Sequence, residues 1–291
     1  MALSKQQVRR ALAATMGDFV TLVTTSAGNA GGSTFVCTDF DSKGTDFNIG
    51  WWAVIEADGG GLQGKFAQVK GLVGTSPATF TISPPLGAQI GSGVTIGLYP
   101  FRPSMYTVAF NEAVIESYPA LHVGSMDDTL TVAANTWEYT LPAGVTPQMV
   151  KAVAIEGSGL TDGKPDQYRN DWTFSPDQTE LWLGRSNRPV YVLTTDRTIF
   201  LFLQDYLTQF SDDTTTSLVA DTTAVLELDL GANYYKLFEA YARACLYDQL
   251  AARPRYGEKG EVLQVAKQAR AEAQRKAAIW AMPEVRAPVW V

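Results

Sequence analysis

Between Asn233 and Leu250 the apolar side chains Tyr234, Phe238, Tyr241, Cys245, Leu246 and Leu250 recur every three or four residues. That spacing puts them on one buried helical face. Pro254 and Gly257 end this helix, because proline blocks continuation and glycine permits a tight reversal. A second helix rich in Ala, Gln, Lys and Arg follows from Glu258 to about Met282. Pro283–Val291, with prolines at 283 and 288, reads as an extended tail. At the other end, Ser4-Lys-Gln-Gln7 has the pattern of a capping box. It predicts a short helix to about Met16, stopped by Gly17.

From Thr34 to Tyr99 the pattern changes to short apolar or alternating runs between Gly and Pro breaks: Trp51–Glu56, Phe66–Val73, Ala78–Ile82 and Val94–Tyr99. Strands of this length and spacing predict a small barrel or sandwich. Pro103 suits the first turn of a helix. Met105, Val108, Ala109, Ala113 and Ile115 carry that helix to about Tyr118. A second β module is expected from roughly Thr129 to Leu230. Its strands would be Thr136–Leu141, Val150–Glu156, Asp171–Phe174, Glu180–Leu183, Val190–Thr194 and Thr198–Leu203.

The resulting expectation is an α+β fold: a discontinuous core of about four helices, two inserted antiparallel β modules and an extended C-terminal tail. The segments fall at 1–32 (helical), 33–100 (β), 101–127 (helical), 128–230 (β), 231–282 (two helices) and 283–291 (tail). Helices this short bury their faces against one another.

Composition narrows the class. The chain is 46% hydrophobic and 18% charged, within the range of globular domains. No run reaches the ~20 apolar residues of a membrane span, and the N-terminus lacks the pattern of a secretory signal. Net charge is −7, unevenly spread. Residues 253–291 hold eight Lys/Arg against four Glu, leaving −11 for the remainder. This basic end is either a solvated helix face or a surface for an anionic partner. Cys37 and Cys245 both sit in apolar surroundings and read as buried thiols.

Catalytic motifs fail on inspection. Gly59–Lys65 matches the glycine and lysine spacing of a phosphate loop. However, Phe66 stands where a Ser or Thr must hold Mg²⁺, and a strand follows where a helix is required. A β-hairpin loop is the expectation there. His122 is the only histidine, too few for the usual zinc sites, and no nucleophile elbow accompanies it. The pairs Asp127-Asp128 and Asp212-Asp213 read as turn formers or caps. Trp51, Trp52, Trp172 and Trp182 lie in strand patterns that bury one face, with a sugar-stacking platform as the alternative. Trp290 differs, lying in the extended tail where a bulky aromatic suits docking into a partner's pocket. No catalytic residue, cofactor site or metal site is assigned.

Taken together, several stretches resemble head-to-tail adaptor (connector or neck) proteins of tailed bacteriophages. They are the helical start, the Gly-rich β insertion ending in Ile96-Gly-Leu-Tyr-Pro-Phe-Arg-Pro103, the segments Trp137–Gly144 and Asp171–Leu183, and the Ala/Tyr-rich helix after Leu230. The resemblance implies a virion protein of the neck or tail, made in the bacterial cytoplasm, with no enzymatic activity. It also implies a homo-oligomeric, dodecameric ring that binds the portal protein above and a tail or neck protein below. DNA would pass through its channel without specific binding, and no membrane would be involved. The tail residues Pro283, Val285, Arg286, Pro288, Val289, Trp290 and Val291 would then dock into the portal. The alternatives are another tail component (tail tube, baseplate or fibre attachment) and a carbohydrate-binding β module.

Overall fold

A computed structural model describes residues 4–16, 19–40, 48–58, 61–73, 76–133, 136–156, 165–185, 188–189, 197–213, 232–252 and 259–281. It has the expected α+β fold, with four helices and antiparallel sheets among these residues. The chain divides into two compact units, residues 1–120 with 208–281, and residues 121–207.

The first unit combines a barrel with the helices. Strands β1 (Val20–Val23), β2 (Thr34–Cys37), β3 (Trp52–Ala57), β4 (Phe66–Val73), β5 (Ala78–Ser83) and β6 (Thr95–Tyr99) pair in the order β1-β6-β3-β4-β5-β2. An antiparallel bridge from Ser26 to Val36 joins the two ends of that order, with the Thr25 amide donating to the Val36 carbonyl at 2.9 Å. The sheet therefore closes on itself, which removes its exposed edges. Inside lie Leu22, Phe35, Ile55, Val69, Phe80, Ile82, Ile96 and Leu98. Phe35 stacks on Phe80 with ring centres 4.6 Å apart. The barrel includes β1, so it begins before residue 33, the start expected from the Gly-rich pattern.

Helix α1 (Lys5–Thr15) carries the expected capping box: the Gln7 amide donates to Ser4 Oγ, and the Ser4 amide to Gln7 Oε1. Helix α2 (Pro103–Ser117) has its proline in the first turn, where a missing N–H costs nothing. Helices α3 (Ala232–Ala251) and α4 (Lys259–Trp280) complete the unit. Among its described side chains α3 is buried nearly all round, as a helix packed against α1, α2 and α4 must be. Its Phe238, Cys245, Leu246 and Leu250 are buried as the spacing required.

Alternation along β3 and β6 sends Ile55, Ile96 and Leu98 into the barrel and Glu56, Gly97 and Tyr99 to its outer side. There α1 covers them. Arg10 Nε donates to Glu56 Oε2 at 2.6 Å, and the Tyr99 hydroxyl donates to Glu56 Oε1. The Arg9 guanidinium lies over the Tyr99 ring at 5.4 Å. Gly97 leaves the space this needs, since a Cβ there would sit 2.7 Å from the Glu56 carboxylate.

The second unit is built from two sheets. Strands β7 (Val123–Thr131), β9 (Val150–Glu156), β10 (Pro165–Arg169) and β14 (Thr198–Asp205) pair in the order β10-β9-β14-β7. Strand β12 (Glu180–Arg185) pairs with β8 (Glu138–Thr140), β11 (Trp172–Phe174) and β13 (Arg188–Pro189). Val153, Ile155, Leu181, Leu183, Ile199 and Leu201 form the core. Strand β7 starts at Val123, ahead of the boundary at 128 read from the sequence. The expected strand Val190–Thr194 lies outside the described residues.

Candidate assembly surface

The helical part of the first unit is tied together by charge as well as by packing. Arg270 of α4 reaches Glu116 of α2 and Asp248 of α3, each at 2.7 Å. Glu272 of α4 pairs with Arg243 of α3 and, at 2.9 Å, with Lys276. The hydrogen bond from Lys276, with help from Arg243 and against partial burial, holds the Glu272 carboxyl below its usual range. A more buried pair joins α1 to the segment before residue 214. Lys5 Nζ donates to Asp213 Oδ1 and to the Ser211 carbonyl, both at 2.7 Å, while Thr107 donates to Asp213 Oδ2 at 2.5 Å.

The packing leaves two helix faces open. On α2, Val108 and Ile115 are 44% and 53% exposed, with the exposed Glu112 and Glu116 between and beside them. On α4, Val265 and Ile279 are 39% and 72% exposed. A groove of about 330 Å³ runs beside Val265, lined also by Met16, Tyr247, Gln268, Glu272 and Arg275. Val108 and Ile115 are two of the apolar positions that carry α2 in the sequence, yet neither lies on its buried side. The buried side is in fact Met105, Tyr106, Ala109, Phe110, Ala113 and Val114. The aromatics Tyr106 and Phe110 contribute more buried area than Val108 and so set the orientation. The isolated apolar residues facing away from that stripe were the available signal for this surface.

The other candidate residues resolve as follows. The docking tail Pro283, Val285, Arg286, Pro288, Val289, Trp290 and Val291 lies outside the described residues, as do Gly59 and Gly60 of the Gly-rich motif. Around that motif the chain is the expected β-hairpin connection. Asp58 accepts from the Leu62 amide, Lys65 Nζ donates to the Leu86 carbonyl at 3.0 Å, and Phe66 opens β4. Cys37 and Cys245 are fully buried thiols, not joined in a disulfide. Burial, aided by Glu116 and Glu112, pushes the Cys245 thiol up to about 12. His122 is buried, and among the described residues no cluster of three or more His, Cys, Asp or Glu is placed to hold a metal.

Of the acidic pairs, Asp127 caps a bulge in β7, accepting from the Thr129 amide and hydroxyl. Asp213, read from the sequence as a turn former or cap, has its side chain fully buried against Lys5. The tryptophans also divide. Trp51 and Trp172 pack on their cores, and Trp52 packs edge-on to Phe66 beneath Arg102. Trp182 does not follow the burial expectation for its strand. It alternates with the buried Leu181 and Leu183 and meets Trp137 edge-to-face at 4.9 Å on the opposite side of the sheet.

No helix among the described residues is long and apolar enough to cross a membrane. No protein-family model matches the chain, and no curated protein matches it.

Proposed function

We propose that this chain is a non-enzymatic structural component of a bacteriophage neck, a ring-forming head-to-tail adaptor that joins the portal to the tail. The observation that carries this reading is the helical assembly of the first unit. Helices from the start, middle and end of the chain pack on a central α3, yet α2 and α4 keep apolar residues exposed. Such faces are the raw material of subunit contacts. The sequence resemblance supplies the biological setting. A net charge of −7 suits a wall that DNA must slide past, because basic walls would hold the phosphate backbone. In this reading Pro283–Val291, with Trp290 as anchor, docks into the portal.

Deleting residues 283–291 and measuring co-sedimentation with purified portal tests the docking role. Binding should be lost. Unimpaired binding would remove the tail from the account.

A second reading is supported by the outer face of β12. Trp137 and Trp182 stand there beside Glu138 and Glu180, whose carboxylate accepts from the Trp182 indole at 3.2 Å. Aromatic faces with neighbouring carboxylates can bind sugars, which would make the second unit a glycan-contacting module of another tail component. Glycan-array binding that disappears in Trp182→Ala would favour it.

A further inference from the structure

We infer that copies of this chain join head to tail, with the exposed stripe of α2 on one copy seated against the α3–α4 groove of the next. The inference rests on the ring reading above and specifies its contact surface. On α2, Val108, Glu112, Ile115 and Glu116 follow one another at i, i+4, i+7 and i+8, a single helical stripe. The helix carries two glutamates and no Lys or Arg. Glu116 is shared with Arg270, whereas Glu112 accepts only from the neutral Gln249 among the described contacts. This stripe is acidic and apolar.

The opposing surface has the reverse sign. On α4, Val265, Gln268, Glu272, Arg275 and Ile279 occupy one stripe that borders the groove. Arg243 and Lys276 both pair with the Glu272 carboxylate, and Arg275 adds a further cation to the groove lining. Apolar contact comes from Val265 and Ile279, and from Met16 and Tyr247 in the groove lining.

Charge decides the occupant and the symmetry. Pairing α2 with α2 would oppose glutamates, and pairing α4 with α4 would oppose cations, both unfavourable. Pairing α2 with α4 satisfies both signs and apposes valine and isoleucine from each side. Such a contact is heterologous, and repetition of a heterologous contact generates a closed ring or a filament.

The test uses full-length Ile115→Cys and Val265→Cys variants, mixed and mildly oxidised. Both sites are exposed and the native thiols are buried. The mixture should give disulfide-linked dimers in large excess over either variant alone, and over a mixture in which Thr173→Cys replaces one partner. A second variant avoids reliance on cysteine. Glu112→Arg should weaken self-association, and adding Arg275→Glu to the same chain should restore it. Equal cross-linking of Ile115→Cys with itself would overturn the heterologous contact, as would the absence of any excess. Rings seen by electron microscopy without the cross-link would reject this surface while leaving the ring standing. Absence of both rings and cross-link would reject the ring reading itself.

Discussion

Lys5 Nζ lies 2.7 Å from Asp213 Oδ1, with side-chain exposures of 4% and 0%, across 208 residues of sequence. The pair fastens the first turn of α1 to the strand of chain that returns from the second unit. Removing one member strands a buried charge, which costs more than the pair itself contributes. Lys5→Met should therefore lower the unfolding free energy by about 3–5 kcal/mol, measured by urea denaturation. Lys5→Met/Asp213→Leu should lose much less than the single change. A silent Lys5→Met would show that the pair is not structural.

Gly97 is required by its neighbour. A Cβ at this position would lie 2.7 Å from the Glu56 carboxylate and 2.8 Å from the Tyr99 ring. Gly97→Ala should cost about 1–3 kcal/mol as an overpacked site. The penalty should shrink in a Glu56→Ala background, giving a measurable coupling in a double-mutant cycle.

The thiol of Cys245 is raised from 9.0 to about 12, first by burial and then by Glu116 and Glu112. A raised folded value gives a contribution that is whole below the unfolded value and fades as pH climbs toward the folded one. Alkaline destabilisation is expected between these two values. Below them, alkylation followed by mass spectrometry should find the thiol unreactive until the protein unfolds. Rapid labelling of native protein would contradict its placement.

Glu272 behaves oppositely. Its carboxyl is held below the usual 4.5 by Lys276 and Arg243, so its contribution is present above that value and is lost as pH falls through the depressed one. The side chain is 35% exposed, and screening limits the effect to under about 1 kcal/mol. Glu272→Gln should reduce the difference between urea midpoints at neutral and acid pH by that modest amount.

Local signals in the sequence translated directly into structure. The Ser4–Gln7 capping box, Pro103 in the first turn of α2 and the 3.6-residue spacing in α3 each act within a few neighbouring residues. Strand β7 was missed because its burial pattern is almost wholly exposed and Asp127 interrupts it with a bulge. The four residues of β1 are too few to show a period. Lys5 and Asp213 were illegible for a different reason. Nothing near either residue reports a partner so distant in sequence. The candidate surface was only half visible, since Val108 and Ile115 look like core until Tyr106 and Phe110 fix which way α2 turns.

Electron microscopy of the full-length protein mixed with its portal tests the central claim most directly. The account predicts closed rings with an open central channel, one ring seated on each portal. A protein that stays monomeric and unbound in the presence of portal would contradict it.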